Sequence, residues 1–134
     1  MAKRRHLEAQ HQRALIAWAR LARLPAAADI EPGATVADYL IAIPLGGLRS
    51  PIEAALLRAE GAKAGVSDLL LPIARQGAHG LWLELKRPGG GHETDAQRAW
   101  RSRMERAGYR AIVCHGWDEA REALLRYVAG EPLT

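Results

Sequence analysis

The stretch Leu81–Lys86 reads Leu-Trp-Leu-Glu-Leu-Lys and constrains how the rest of the chain can be arranged. Its apolar residues predict a central, buried β-strand, along which alternate side chains point to opposite faces. Glu84 and Lys86 should therefore share one face, with Leu83 and Leu85 on the other. Because unpaired charges are costly to bury, two charged residues near the end of such a strand need a structural or chemical reason.

A second apolar run, Leu69–Leu71, follows directly after the acidic residue Asp68. If this run pairs with the strand Leu81–Lys86, Asp68 can meet Glu84. Two carboxylates beside a lysine form a site for a hard divalent cation and an activated water, which is the chemistry of phosphodiester hydrolysis. The same residues also allow a second interpretation, a purely structural pair of Glu84 and Lys86 at the edge of the sheet.

The rest of the chain alternates between helical and extended patterns. In chain order, we expect a helix at 4–24, a strand at 39–43, a helix at 51–62, strands at 67–73 and 80–85, a helix from 94 or 95 to 107, a strand at 110–115 and a helix at 118–129. This order favours an α/β fold, a central mixed sheet with helices on both faces. The unit 80–115 should form a right-handed crossover that makes its two strands parallel.

The composition limits the class of protein. With 134 residues, of which 49% are hydrophobic, we expect one folded domain, 1–134. A net charge of +4 suits a polyanionic partner. The lone Cys114 excludes a disulfide framework and a cysteine-rich zinc site, and should be an inert packed thiol in a reducing compartment. Without a secretory signal or a run of roughly 18 apolar residues, we expect a cytoplasmic protein that does not contact membranes.

Several short motifs occur together and in order along nearly the whole chain. They are Glu8 and Gln12, Ile43–Arg49, Glu60–Asp68, Leu81–Lys86, Gln97 with Trp100, and Gly108 with Tyr109. Taken together, these motifs resemble the VRR-NUC domain, a branch of the PD-(D/E)xK nuclease superfamily, and in particular its standalone phage and bacterial members. The resemblance implies a restriction-endonuclease-like mixed sheet.

The resemblance also implies a metal site. Asp68 and Glu84 would hold Mg²⁺ or Mn²⁺, with the backbone carbonyl of Leu85 as a further oxygen ligand. Glu8 would approach the metal directly or through water. A sparse site of this kind suits Mg²⁺, which keeps several waters and takes only one or two carboxylates. Judged without the resemblance, Glu8 would be a solvated residue on an exposed helix face.

Two further catalytic roles follow from the resemblance. Lys86 would orient the attacking water and help to deprotonate it, and Gln97 would steady the site from the following helix. Two positions depart from the family pattern. Ser67 stands where the family usually has proline, which should cost little because proline contributes backbone shape and no chemistry. Leu45 stands where asparagine is frequent, so a polar substrate contact is in question there.

Three basic residues are candidates for contact with phosphate groups of DNA. Arg49 follows a glycine-rich turn just before a helix start, a suitable place for an anion. Lys63 lies in the segment that leads to Asp68, and Arg101 shares a helix face with Gln97 because the two are four residues apart. Each of the three could equally be an ordinary surface residue.

These observations together predict a Mg²⁺- or Mn²⁺-dependent DNA endonuclease. By resemblance it would favour branched or Holliday-junction DNA, as a resolvase or repair nuclease that a phage could encode. We also expect a homodimer, formed through the first helix near Trp18 or the last helix near Leu125 and Tyr127. Two other functions remain open. One is a non-catalytic nucleic-acid-binding module with the same fold, and the other is an interaction protein whose basic first helix binds a partner helix.

Overall fold

The computed structural model describes residues 2–44 and 50–133, with side chains from residue 6 onward. Within these described residues, five helices and four strands follow one another. They are α1 (Ala2–Leu21), α2 (Val36–Tyr39), β1 (Ile41–Ala42), α3 (Pro51–Ala59), β2 (Leu69–Leu71), β3 (Leu81–Lys86), α4 (Asp95–Arg106), β4 (Arg110–His115) and α5 (Trp117–Val128).

The four strands form one mixed sheet in the order β1-β2-β3-β4. Strands β1 and β2, and likewise β2 and β3, are antiparallel, whereas β3 and β4 are parallel. The parallel pair is connected through α4, because parallel neighbours need a long crossover and cannot be joined by a tight turn. The predicted α/β class and the predicted parallel pairing across the unit 80–115 are both confirmed.

Alternation along β3 separates two layers of the fold. Leu81, Leu83 and Leu85 are buried in the main core, together with residues of α1 and α5 such as Leu15 and Leu124. The intervening residues of β3 face α4, where the rings of Trp82 and Trp100 meet edge to face with centroids 5.3 Å apart. Helices therefore cover both faces of the sheet, and β3 lies in its interior with Glu84 and Lys86 on the α4 side.

The first helix is shorter at its carboxyl end than the sequence pattern predicts. It ends at Leu21, and the chain then pairs with a later segment. Leu24 donates its backbone N–H to Ala34 at 2.8 Å, and Val36 donates to Ala22 at 2.9 Å. Ala22 still donates its N–H to the Trp18 carbonyl at 3.0 Å, so the helical bonding ends there, and the long-range bonds involve the Ala22 carbonyl and the Leu24 N–H.

The predicted strand at 39–43 is wrong in its first half. Tyr39 closes the short helix α2, and only Ile41 and Ala42 pair with β2. A capping box explains the difference, since the Asp38 carboxylate accepts the backbone N–H of Thr35 at 2.8 Å and favours a helical turn. The strand predicted at 67–73 likewise contracts to Leu69–Leu71.

The later helices begin close to the predicted positions. Ser50 caps α3 and Thr94 caps α4, each by accepting a backbone N–H from three residues further on. Helix α5 begins after Gly116, which has no side chain to cap it. The cap comes from α1 instead, because Nδ1 of His11 accepts the backbone N–H of Trp117 at 3.0 Å.

Within residues 2–44 and 50–133, no helix has both the length and the apolar character needed to cross a bilayer.

Candidate active site

Asp68 lies at the point where the chain enters β2. The register pairs Leu69 with Leu83, so Asp68 comes opposite Glu84 as the sequence predicts. Its carboxylate Oδ2 accepts the backbone N–H of Leu85 at 2.7 Å, and its own carbonyl accepts the N–H of Ile43 at 2.8 Å. Asp68 is therefore held on both sides by neighbouring strands.

Glu84 is a buried carboxyl group, with only 6% of the residue exposed. Its Oε2 accepts a hydrogen bond from the Gln97 amide at 3.1 Å, whereas its Oε1 is buried without a hydrogen-bond partner among the described residues. Burial raises the pKa of Glu84 to about 9. The negative charges of Asp68 and Glu8 add to this rise in pKa, and the positive charge of Lys86 opposes it.

Lys86 is similarly enclosed, with 7% of the residue exposed. Its Nζ donates to Oε1 of Gln97 at 3.0 Å and lies 3.7 Å from Oε2 of Glu84. Glu84 and Lys86 thus share a face, as predicted, but on an interior strand. Strand β3 lies between β2 and β4, so the pair is not on an edge strand, and the interpretation of Glu84 and Lys86 as a structural pair remains an alternative.

Gln97 connects these charged groups through one amide. Its Oε1 accepts from Lys86 and from the backbone N–H of Thr94, the latter at 2.8 Å, while its Nε2 donates to Glu84. Since one amide end must accept and the other must donate, this set of partners fixes the orientation of the side chain. The Thr94 contact belongs to the capping box of α4, a signal present in the sequence as Thr-x-x-Gln.

The carboxylate oxygens of Asp68 and Glu84 suit a hard cation that fills the rest of its coordination sphere with water. Glu8 on α1 is half-buried, and its negative charge contributes to the raised pKa of Glu84. In the part of the chain that is described, no group of three or more His, Cys, Asp or Glu side chains could hold a metal ion. The described residues therefore do not bring Glu8, Asp68 and Glu84 together as one metal-binding group, and a contact of Glu8 with a metal stays a prediction. The unpartnered Oε1 of Glu84 is a buried acceptor that such an ion would satisfy.

The three candidate phosphate contacts are placed differently. Arg49 and Leu45 lie outside the described residues. Lys63 is exposed in the connection between α3 and β2. Arg101 forms a two-pronged pair with Glu93, with N···O distances of 3.0 and 2.7 Å, and also contacts Glu105. Arg101 is thus already bound to acidic groups on the α4 side, and its contact with phosphate stays a prediction, as do those of Arg49 and Lys63.

Cys114 and the three candidate residues for a dimer contact differ in their exposure to solvent. Cys114 is buried, and burial raises the pKa of its thiol to about 12, which agrees with an inert packed side chain. Tyr127 is buried and its hydroxyl donates to the Ile73 carbonyl at 2.6 Å, so it is part of the core. Trp18 is half-buried against the core, whereas Leu125 is 46% exposed. Of the side chains considered for a dimer contact, Leu125 is the exposed one.

Comparison with known proteins agrees with this arrangement. The model of the VRR-NUC domain family matches residues 8–118. A solved structure of a VRR_NUC domain protein superposes with a TM-score of 0.77 at 28% sequence identity, covering 93% of this chain and 90% of that one. No curated protein matches the chain. The matched span includes Glu8, Asp68, Glu84, Lys86 and Gln97, and the chain belongs to the VRR-NUC family of nuclease-type domains.

Proposed function

We propose that the protein is a metal-dependent DNA endonuclease that hydrolyses phosphodiester bonds with water as the nucleophile. The proposal rests on one observation. Asp68 lies opposite Glu84, next to the buried ammonium group of Lys86. Burying these charges is costly, and a purely structural site would gain more from apolar side chains. A catalytic role explains why these charged side chains occur at buried positions.

The metal ligands in this proposal are Asp68, Glu84 and the Leu85 carbonyl, with Glu8 acting directly or through water. Leu85 donates its N–H to Asp68, and the N–H and C=O of one strand residue point to the same side of the strand. The Leu85 carbonyl therefore faces the edge at which Asp68 lies. A bound Mg²⁺ or Mn²⁺ would stabilise charge on the phosphate and make a coordinated water more acidic.

Lys86 and Gln97 act on the water and on the geometry of the site. The Lys86 ammonium donates a hydrogen bond to Gln97 at 3.0 Å. Its side chain is therefore already fixed and loses little conformational entropy when it acts in the site. A fixed positive charge beside the attacking water would orient it and stabilise the negative charge that develops on its oxygen during attack. Gln97 forms hydrogen bonds with both Lys86 and Glu84, and these bonds fix the position of one side chain relative to the other.

The substrate in this proposal is branched DNA, with four-way junctions favoured. The net charge of +4 attracts a polyanion, and Arg49, Lys63 and Arg101 are the basic residues that would contact phosphates. Resolving a junction requires two symmetrically placed cuts, whereas one chain has one site. A homodimer with two-fold symmetry supplies both sites through a single interface, for which Leu125 on α5 and the surface of α1 near Trp18 are the candidate positions.

A cleavage assay tests the activity. Supercoiled plasmid and labelled four-way junctions are incubated with the protein in Mg²⁺, in Mn²⁺ and with EDTA. We expect cutting in either metal and none with EDTA. Asp68→Asn and Lys86→Ala should each reduce the rate by about a hundredfold or more, with DNA binding in gel shifts largely retained. Asp118→Asn, an equal loss of charge at an exposed position on α5, is the control and should cut normally.

Four outcomes of this assay, of light scattering and of a salt titration would contradict parts of the proposal. Near-normal cutting by Lys86→Ala would contradict the mechanism, and DNA binding without cutting in any metal would favour the non-catalytic module. A monomer by light scattering at tens of micromolar protein that nicks linear duplex as readily as junctions would contradict the substrate and the dimer. Binding that does not weaken with salt would argue against contact with phosphate.

A further inference from the structure

Gly65 makes an unusually close contact with the first turn of α4. Its φ is +85°, a backbone conformation that favours glycine. A Cβ atom built on Gly65 would lie 2.4 Å from the carbonyl carbon and oxygen of Ala96 and 2.8 Å from the backbone nitrogen of Gln97. These are backbone atoms, so no side chain can rotate away to make room. Two backbone segments touch here because residue 65 has no side chain.

This contact joins the two halves of the candidate site. On one side, the segment continues through the buried Ser67 to Asp68, which is bonded to the N–H of Leu85. On the other side, the first turn of α4 carries Gln97, whose amide holds Glu84 and Lys86. The sheet fixes Asp68 relative to Glu84, and the Gly65 contact fixes the Asp68 segment relative to the helix that bears Gln97.

We propose that Gly65 is a positioning residue of the active site, an inference that rests on the proposed nuclease function. By admitting backbone-to-backbone contact, it keeps the carboxylate of Asp68 and the amide of Gln97 in one geometry around Glu84. Gly65 itself touches no reacting group. Its effect on catalysis passes through Gln97 and, through that amide, Lys86.

Gly61 provides a matched control within the same connection. Its φ is +107°, so a side chain there would also be strained, yet a Cβ on Gly61 would have no atom within 4 Å. Gly61→Ala therefore adds backbone strain alone, whereas Gly65→Ala adds strain and a collision with α4. The difference between the two variants isolates the contact.

The experiment compares both variants by NMR and by cleavage kinetics. In the unaltered protein and in Gly61→Ala, the side-chain amide protons of Gln97 should give the same shifted, slowly exchanging signals. In Gly65→Ala these signals should move and exchange faster. We expect kcat to fall on the order of tenfold to a hundredfold in Gly65→Ala, with little change in KM for DNA. Unaltered Gln97 signals and kcat in folded Gly65→Ala would overturn the proposal.

A second pair of variants tests the same contact if Gly65→Ala does not fold. Thr94 caps α4 by accepting the N–H of Gln97 at 3.1 Å, and Ser50 caps α3 by accepting the N–H of Glu53 at 3.1 Å. Thr94→Ala should loosen the first turn of α4 and speed hydrogen exchange at the amides of residues 65–67, whereas Ser50→Ala should not. Equal exchange at residues 65–67 in the two variants would contradict the proposal.

The two readouts separate this inference from the proposed function. If the unaltered protein cuts no DNA, the nuclease assignment fails, while the Gln97 signals and the exchange at residues 65–67 still report the contact. If the protein cuts DNA but Gly65→Ala behaves as Gly61→Ala does, the positioning role fails and the nuclease assignment stands.

Discussion

The ammonium group of Lys86 donates to the side-chain oxygen of Gln97 at 3.0 Å, while the nitrogen of the same amide donates to Glu84 at 3.1 Å. The side chain of Gln97, in the first turn of α4, therefore bridges Lys86 and Glu84, whose charged nitrogen and carboxyl oxygen are 3.7 Å apart. The backbone of Thr94 holds the same oxygen, so the capping of the helix and the geometry of the charged pair depend on one side chain.

Replacing Gln97 with leucine should lower kcat by about tenfold to a hundredfold while DNA binding persists. Leucine has a similar size but removes the acceptor for Lys86 and the donor for Glu84, so both groups lose their fixed positions. Single-turnover cleavage of a labelled junction measures the effect. Gln10→Leu, on an exposed part of α1, is the control. Equal rates for the two variants would show that Gln97 only caps the helix.

Calcium should support DNA binding without cleavage. Ca²⁺ accepts the same carboxylate and carbonyl oxygens as Mg²⁺, but with longer bonds and a looser geometry, so the attacking water would be poorly aligned. A gel shift in Ca²⁺ beside a cleavage assay in Mg²⁺ checks this. Equal cutting in both metals would show that the geometric argument is wrong.

The pair of Glu93 and Arg101 should make stability depend on pH. The hydrogen bonds from Arg101 hold the pKa of Glu93 below its ordinary value of 4.5. Because the folded-state pKa is the lower one, the pair stabilises the protein at neutral pH, and this contribution disappears as the pH falls from about 4.5 through the folded-state value.

Glu93→Gln should therefore reduce the free energy of unfolding by about 1 kcal/mol at pH 7, with a smaller difference at pH 3. Urea unfolding at the two pH values measures this effect. Glu122→Gln, which removes an exposed pair with Arg126, should change little at either pH. An effect of Glu93→Gln that is as large at pH 3 as at pH 7 would contradict the ionic origin.

His11 should stabilise the protein by capping a distant helix. Its Nδ1 supplies the acceptor that Gly116 lacks at the start of α5. We expect His11→Ala to lower the free energy of unfolding by about 1 kcal/mol, the usual value of an N-cap. His6→Ala, on an exposed part of the same helix, is the control. Equal stability of the two variants would mean that the bond to Trp117 contributes nothing.

Local patterns in the sequence predicted the centre of the fold and of the site. The apolar run around Glu84 predicts an interior strand, and its alternation places Glu84 and Lys86 on one face. Two short apolar runs made the pairing of these strands a reasonable condition, and the register that the structure shows, Leu69 with Leu83, brings Asp68 opposite Glu84. In each case the determining residues are close in sequence or share a strand period.

Features that depend on distant contacts were not predictable in this way. His11 is separated from Trp117 by most of the chain, so no local sequence pattern around either residue predicts the cap. Tyr39 has a strong strand propensity, yet the capping box at Thr35 and Asp38 places it in a helical turn. Arg101 shares a helix face with Gln97, but its partner Glu93 comes from the preceding loop and occupies the guanidinium group that was expected to contact phosphate.

Anomalous scattering from crystals grown with Mn²⁺ would locate a bound metal ion directly. We expect a manganese peak between the carboxylates of Asp68 and Glu84, close enough to bond Oε1 of Glu84, and we expect Asp68→Asn crystals to lose this peak. A peak elsewhere, or Asp68 and Glu84 bound only to water at millimolar Mn²⁺, would contradict the claim that these two residues form the metal centre of a nuclease.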